Sequence, residues 1–411
     1  MAAQAPGVFF AEWRDRAPGQ RRDIGRAAAL LDLLGLPAPA APVLGVVGSK
    51  GKGTCAVYSS ATLAAAGARV VTVTSPGIRG PRDRIRLDGT AVGAADLDAL
   101  AAEVGAAMRR LPPPEGGYLS PSGLFLAAGA LYGLEQGADL LVLEAGVGGR
   151  GDELRLFDPA AVALTGVFAE HLGVLGDSVE RIAAEKAAVT GPGARAFVHG
   201  PLDAGVRSAA HAALASRSGG GVFPESVAAG AAGVPAELLP EGLGRTSAEV
   251  GCTAARRLLA ATGRAAPGPA RLHEVLASVR LPGRLSHHAV PGCEVVVDSA
   301  VDRVGTAAAL DHARRRLGGV DHVLICLPDH KDVAGAAAAL EGLQVTAAVL
   351  PDAHLHFSAE LPRPWGRVRA EEITPDLLAG LGRRVLVLGT VYFTGRVLDA
   401  IGADTESLFS V

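Results

Sequence analysis

The sequence predicts an α/β fold: a P-loop domain on a parallel sheet, followed by a smaller Rossmann-like C-terminal α/β domain. Three observations predict it. Residues 43–75 read as strand, glycine loop, helix and strand. A second such round occupies 122–167. A proline- and glycine-rich stretch at 264–270 then precedes three further apolar strands. Alternation of strand and helix is the signature of a parallel sheet covered by helices.

Taken in order, residues 21–35 carry apolar positions at helical spacing and stop at Gly35. A proline-rich link follows. VLGVVG at 43–48 is a short buried strand running into a glycine loop, 54–67 the helix after it, and 69–75 the next strand. The helix SGLFLAAGALYGLEQG leads to the fully apolar strand DLLVLEAG, and AAVALTGV at 160–167 gives another. Residues 215–242 are rich in Gly, Ala and Ser and weakly periodic; a helix is expected at about 246–262, and 264–270 is the best linker candidate. Strands at 294–300, 322–328 and 384–390 then alternate with alanine-rich helices. The expected domains are 1–275 and 278–411, with a hinge near Pro282.

The chain has 411 residues, long enough for two or three cores. Hydrophobic residues make up 49% and charged residues 20%, ordinary for a globular protein. A net charge of −3 gives no electrostatic case for nucleic acid or an anionic membrane. The first 20 residues include Glu12, Arg14, Asp15 and Arg16 and contain no apolar run, unlike a signal peptide. No stretch reaches the roughly 18 uncharged apolar residues of a membrane helix. Cys55, Cys252, Cys293 and Cys326 lie far apart with no CxxC pair, which fits a reducing cytoplasm.

The chain holds 35 arginines but only four lysines: Lys50, Lys52, Lys186 and Lys331. Where any cation will serve, a bias of that kind supplies arginine. A surviving lysine is therefore a candidate for work that needs a compact ammonium or a neutral amine. Chance survival is the other reading.

Residues 48–54, GSKGKGT, have the spacing of a phosphate loop. Gly48, Gly51 and Gly53 let backbone N–H groups of Ser49, Lys50 and their neighbours turn inward around phosphate oxygens. The helix N-terminus at Thr54 adds its partial positive charge. Lys52 can reach the outer phosphates, and the Thr54 hydroxyl can face magnesium. Glycine turns alone are common; this one follows a buried strand, opens a helix and holds two of the four lysines.

GVVGSKGKGTCA resembles the ATP loop of folylpolyglutamate synthase and its Mur ligase relatives. TSPG at 74–77 with DRIRLDG at 83–89, LEAGVGGRGD at 143–152, EHLGVLGDSVERIAAEKAAVTGPG at 170–193, LPGRL at 281–285, HKD at 330–332 and GTVYFTG at 389–395 resemble further family motifs, in the family's order. The resemblance spans about residues 25–397 and implies a P-loop ATPase domain joined to a C-terminal ligase domain, using ATP and Mg2+. It implies a metal site of Ser75, Glu144 and His171, with Thr54 at the triphosphate. Lys186 would be a carbamylated lysine near a second metal, Arg284 would reach the γ-phosphate, and Asp298 would lie near nucleotide and amine. Lys52, His171, Lys186, Arg284 and Asp298 are thus the expected catalytic set. Read without the family, His171 is an ordinary packed or surface histidine, and Lys186 a solvated helix lysine paired with Glu185 or a neighbour. Glu144 gains independent weight from its place at the carboxyl end of an apolar strand.

This chain also departs from the pattern. DGAHNP has become DSAVDR at 298–303, with Val301 for histidine and Asp302 for asparagine. The adenine-holding HQ…N segment corresponds to RTSAEV near 245–250, without an asparagine. TSPH is TSPG at Gly77, the aspartate before His171 is Glu170, ATN after GGRGD is Glu153, Leu154 and Arg155, and the acid of PTFFE corresponds to Phe125. The expectation is an ATP-dependent amide ligase specialised away from folate, acting as a monomer on a small carboxylate and an amine. An authentic folylpolyglutamate synthase and a non-catalytic nucleotide-binding partner are the alternatives.

Overall fold

The structure is a computed structural model that describes residues 5–36, 41–170, 173, 175–350 and 365–411. The first sheet has eight strands: β1 (Val43–Val47), β2 (Val70–Val73), β3 (Ile85–Leu87), β4 (Thr90–Ala91), β5 (Leu140–Glu144), β6 (Ala161–Leu164), β7 (Ala196–His199) and β8 (Pro224–Ser226). Their order is β8-β7-β6-β1-β5-β2-β3-β4, parallel except for the antiparallel β2-β3-β4 edge. Every residue of β1 and β5 is buried. The pleat explains why these strands are apolar throughout. Val43, Val47, Leu141 and Leu143 enter the core on one face of the sheet, and Leu44, Val46, Leu140 and Val142 the core on the other.

Helices α1 (Ile24–Leu33), α3 (Ala94–Met108) and α4 (Pro121–Glu135) feed the first core. Helices α2 (Lys52–Ala65), α7 (Gly244–Ala261) and α8 (Pro269–Ala277) feed the second. Between them in the chain lie α5 (Val179–Ala187) and α6 (Ala204–Ser218). The second sheet holds β9 (Ser286–Val290), β10 (Cys293–Asp298), β11 (His322–Cys326), β12 (Val345–Val349), β13 (Gly366–Arg369) and β14 (Arg384–Gly389). Its order is β9-β10-β14-β11-β12-β13, parallel except for β9-β10. Helices α9 (Arg303–Leu317), α10 (Val333–Ala339), α11 (Pro375–Leu381) and α12 (Val391–Ala400) complete this half.

Two expectations about organisation need correction. Residues 264–270 do not divide the molecule, because Pro269 opens α8, whose Leu272, Val275 and Leu276 are buried in the first domain. The sheets divide between 277 and 286, the stretch that contains Pro282. The end of the chain also leaves the second domain. Leu408 and Phe409 are buried in the core shared by α2 and α7, and Leu408 N donates to Gly89 O. Arg86 fastens this return: its guanidinium donates to Thr405 O at 2.9 Å and Glu406 O at 2.8 Å and pairs with Asp83. Segment 403–411 thus ties the two halves together. Among the described residues no helix is long and apolar enough to cross a membrane, and all four cysteines are free and buried.

Candidate functional site

The site grows from the end of β1. Gly48 (φ 144°) and Gly51 (φ 81°) turn the chain into α2. Both conformations favour glycine, and neither position has room for a side chain. A Cβ on Gly48 would overlap Thr165 Oγ1, and one on Gly51 would overlap Ser247 Oγ. Thr165, just beyond β6, donates to Lys50 O at 2.6 Å and so fixes the loop from the neighbouring strand. Lys52 Nζ curls over the loop, donating to Gly48 O at 3.0 Å and Ser49 O at 3.3 Å. Thr54 is buried in the first turn of α2.

Glu144 closes β5 and is 4% exposed. Its Oε2 accepts from Ser75 N at 3.1 Å, and a Cβ on Gly53 would stand 3.8 Å from the same oxygen. The carboxylate therefore reaches the first turn of α2. Burial raises its pKa, opposed by Lys52, Ser75 N, Arg284 and Arg84. Arg284 belongs to the hinge, so this acid feels both halves of the molecule. Thr54, Ser75 and Glu144 offer hard oxygens, the donor type magnesium takes alongside phosphate. This set fits magnesium only together with phosphate oxygens: among the described residues no three His, Cys, Asp or Glu side chains converge on one point. His171, expected as a metal ligand and catalytic residue, lies outside the described residues.

Lys186, expected as a carbamylated lysine near a second metal, stands here as the unmodified amine. It is fully buried on α5, and its Nζ donates to Gly48 O at 3.1 Å and Val147 O at 3.0 Å and pairs with Glu170 at 2.8 Å. An ammonium with three acceptors has no lone pair for a metal. Burial lowers its pKa, and Glu170 opposes the shift. Lys186 here pins the first carbonyl of the phosphate loop to the 147–149 turn. Glu185, its expected partner, instead accepts from Arg150 N at 2.8 Å.

The second domain faces this loop. Asp298 at the end of β10 accepts from Leu285 N at 2.8 Å, locking the hinge to the sheet. Burial raises the Asp298 pKa and Arg284 opposes it. Asp302 caps α9, accepting from Gly305 N at 2.8 Å, and pairs with Lys50 of the phosphate loop. Burial lowers the Lys50 pKa; Lys331 adds to that shift, while Glu170 and Asp298 oppose it. Lys331 also feels Glu170. Lys52, in turn, acts electrostatically on Lys186 and Glu144. Lys50, Lys52 and Lys186 thus stand in or on the phosphate loop, and Lys331 acts electrostatically on the first of them.

Sequence reasoning missed several groups. Glu170 was read only as a departure, yet it is the partner of Lys186. Asp152, the last residue of GGRGD, accepts from Val147 N, Gly148 N and Leu154 N and so builds the turn beside Lys186, and with the altered Glu153 it pairs with Arg22. An acid following a glycine run was the available signal. Arg84 stands in the DRIRLDG stretch but was assigned no role there.

No family model matches the chain. A probable bifunctional folylpolyglutamate synthase/dihydropteroate synthase of Haloferax volcanii is 38% identical over 160 residues, 39% of this chain and 19% of that protein. A dihydrofolate synthase/folylpolyglutamate synthase of Bacillus subtilis is 30% identical over 172 residues, 42% of this chain and 40% of that protein. The matched stretch thus spans less than half of these relatives. Among solved structures, a complex of folylpolyglutamate synthase with AMPPCP and folate superposes with a TM-score of 0.78 at 20% identity, covering 96% of this chain and 99% of that one. The Mycobacterium tuberculosis folylpolyglutamate synthase complexed with ADP and AMPPCP gives 0.78 at 20% identity over 97% and 99%. These likenesses establish the two-domain fold along nearly the whole chain. The sequence matches to curated relatives cover only part of the chain, and what it shares with these solved structures over nearly its whole length is the fold.

Proposed function

We propose that the chain is an ATP-dependent carboxylate–amine ligase and that it adds glutamate to folate. The observation that carries the ligase reading is the phosphate loop with Glu144 against its first helical turn and Lys50 paired to Asp302 of the second domain. The folate reading is supported by the names of the relatives. It replaces the expected specialisation away from folate, which rested on the altered motifs, among them Asp302 in place of asparagine. Lys50 pairs with the Asp302 carboxylate, so the negative charge added there is largely offset.

The chemistry follows in two steps. A substrate carboxylate oxygen attacks the γ-phosphorus and ADP leaves with the bonding pair, giving an acyl phosphate. A neutral amine then attacks the acyl carbon, phosphate leaves, and the amide nitrogen sheds a proton. Lys52 and the N–H groups of 48–54 would hold the phosphates and offset charge on the transferring group. Thr54, Ser75 and Glu144, with His171, are the residues proposed to hold magnesium, which when bound neutralises phosphate charge. Arg284 and Asp298 enter from the second domain, so the assembled cleft would exclude water from the acyl phosphate.

The test is ligation of tetrahydrofolate to glutamate, following ADP release and product mass together. Expected is ADP formation that requires both substrates and a product heavier by one glutamyl residue. ATP cleavage with other acids and amines but not this pair would overturn the folate reading. Tight ATP binding with no cleavage under any pairing would favour the non-catalytic alternative.

A further inference from the structure

Arg84 is 6% exposed, and among the described residues no carboxylate lies within ion-pair distance of it. Its neighbour Asp83 is committed elsewhere, to Arg86, Arg79 N and Gly80 N. The other buried arginine, Arg86, is paired with Asp83, and the half-buried Arg22 with Asp152 and Glu153. Burial accordingly lowers the Arg84 pKa, with only Tyr392 and the more distant Glu144 opposing. An unpaired cation held out of water is costly, and it persists where a ligand supplies the missing anion.

Two aromatic rings hold that guanidinium in place. It lies over the Phe125 ring at 4.5 Å and the Phe10 ring at 5.5 Å. Phe125 is itself fixed by stacking on Phe9 at 4.3 Å. Family resemblance expects an acid at position 125, and an aromatic face stands there instead. At Gly77, where a histidine was expected, a Cβ would overlap Gly80 O and stand 3.2 Å from Arg84 Cγ, so the arginine stem uses space a side chain would take. Arg84 Nη1 lies 3.4 Å from Ser75 Oγ, and Ser75 N donates to Glu144. Tyr392, at the start of α12 in the second domain, hydrogen-bonds the same guanidinium. Beside it Gly395 abuts Ile78 O so closely that no Cβ fits.

We propose that Arg84, seated on Phe10 and Phe125 and joined by Tyr392 from the second domain, binds the carboxylate of the acyl-donor substrate. The carboxylate and the ATP phosphates repel each other as they approach. A guanidinium one residue removed from Glu144 offsets that repulsion and orients the attacking oxygen through charge-assisted bonds. An arginine held against two rings keeps its planar fork of donors for a carboxylate, a geometry lysine cannot supply. Tyr392 supplies its bond only when the domains stand as they do here, which couples acid binding to closure. The identity of the acid, but not the carboxylate site, rests on the folate reading above.

The test compares wild type with Arg84→Met, Arg84→Lys and Tyr392→Phe. Arg84→Met and Arg84→Lys should raise KM for tetrahydrofolate by roughly 10- to 100-fold, with KM for ATP unchanged. Tyr392→Phe should raise it by roughly 3- to 10-fold. The free Arg84→Met protein should melt at or above the wild-type temperature, since an unpaired buried cation has been removed. An unchanged KM for tetrahydrofolate, a fall of several degrees in Tm, or full rescue by Arg84→Lys would overturn the proposal in favour of a structural arginine. If wild type ligates no tetrahydrofolate, the folate reading fails. The carboxylate site is then read with benzoate as probe: benzoate should raise the wild-type Tm and not that of Arg84→Met, and an equal rise in both would overturn the site.

Discussion

Lys50 of the phosphate loop and Asp302 at the N-cap of α9 form an ion pair that spans the two domains. One oxygen of Asp302 caps the helix through Gly305 N, leaving the other for the lysine. Lys50 also stands 5.2 Å from the centroid of the Phe168 ring. The pair couples the loop proposed to hold ATP to the first turn of α9 in the second domain.

Breaking it from one side should expose the charge on Asp302. Lys50→Ala is expected to raise KM for glutamate by roughly 5- to 10-fold, about the effect of one uncompensated charge near the surface. Lys50→Ala with Asp302→Asn should recover most of that loss, and a double-mutant cycle on KM measures the coupling. Stability should change by less than about 1 kcal/mol because both groups are partly exposed. Additive effects in the cycle would show that the two charges do not meet in solution.

Lys186 should behave as a buried ammonium. Lys186→Met strands the Glu170 carboxylate and two carbonyls, and a loss of about 3–5 kcal/mol is expected in denaturant unfolding. Small carboxylates should not restore its activity, because the missing group is a donor. Rescue by such acids would instead point to a carbamate.

Gly48→Ala meets two obstacles at once: a φ of 144° and the Thr165 hydroxyl. A cost of about 1–3 kcal/mol in stability is expected, together with loss of ATP binding by calorimetry. Thr165→Ala removes the overlap but not the backbone conformation, so it should recover only part of the binding. Wild-type ATP affinity in Gly48→Ala would show that the loop adopts another shape.

His199 and His211 should make the first domain acid-sensitive. His199 Nδ1 must donate to Gly200 O at 2.6 Å, so its Nε2 accepts the Nε2–H of His211 at 3.0 Å. Burial lowers both pKa values, and Arg207 adds to each shift. Both rings are therefore neutral in the fold while the unfolded chain protonates near pH 6.5. Their contribution is complete above that pH and is lost as pH falls toward the folded values. Tm should drop between pH 7 and pH 5, and less so in His211→Gln. Identical pH profiles for the two proteins would remove the pair as the cause.

Much of the first domain was legible because its signals are local. Strands β1, β5 and β6 are short apolar runs bounded by turns, and a strand ending in glycines before a helix restricts the backbone strongly. Strands β3, β7 and β13 were not read, since three or four residues carry no usable period. The linker at 264–270 misled because proline and glycine punctuate helices as well as domains; Pro269 serves at the first turn of α8.

By itself the sequence determined the α/β class, the order of its elements, the phosphate loop and the importance of four sparse lysines. Backbone geometry and burial periodicity act over a few residues, so they can be read from neighbours. Only the tertiary structure decided what those side chains meet. It set Glu170 against Lys186, Lys50 against Asp302 across 252 positions of chain, and Arg84 on two phenylalanines without an acid. It also returned the last residues of the chain to the first domain through Arg86. Charges and hydrogen bonds act over a few ångströms of space, and the folded path of the chain, not its order, brings the partners within that distance.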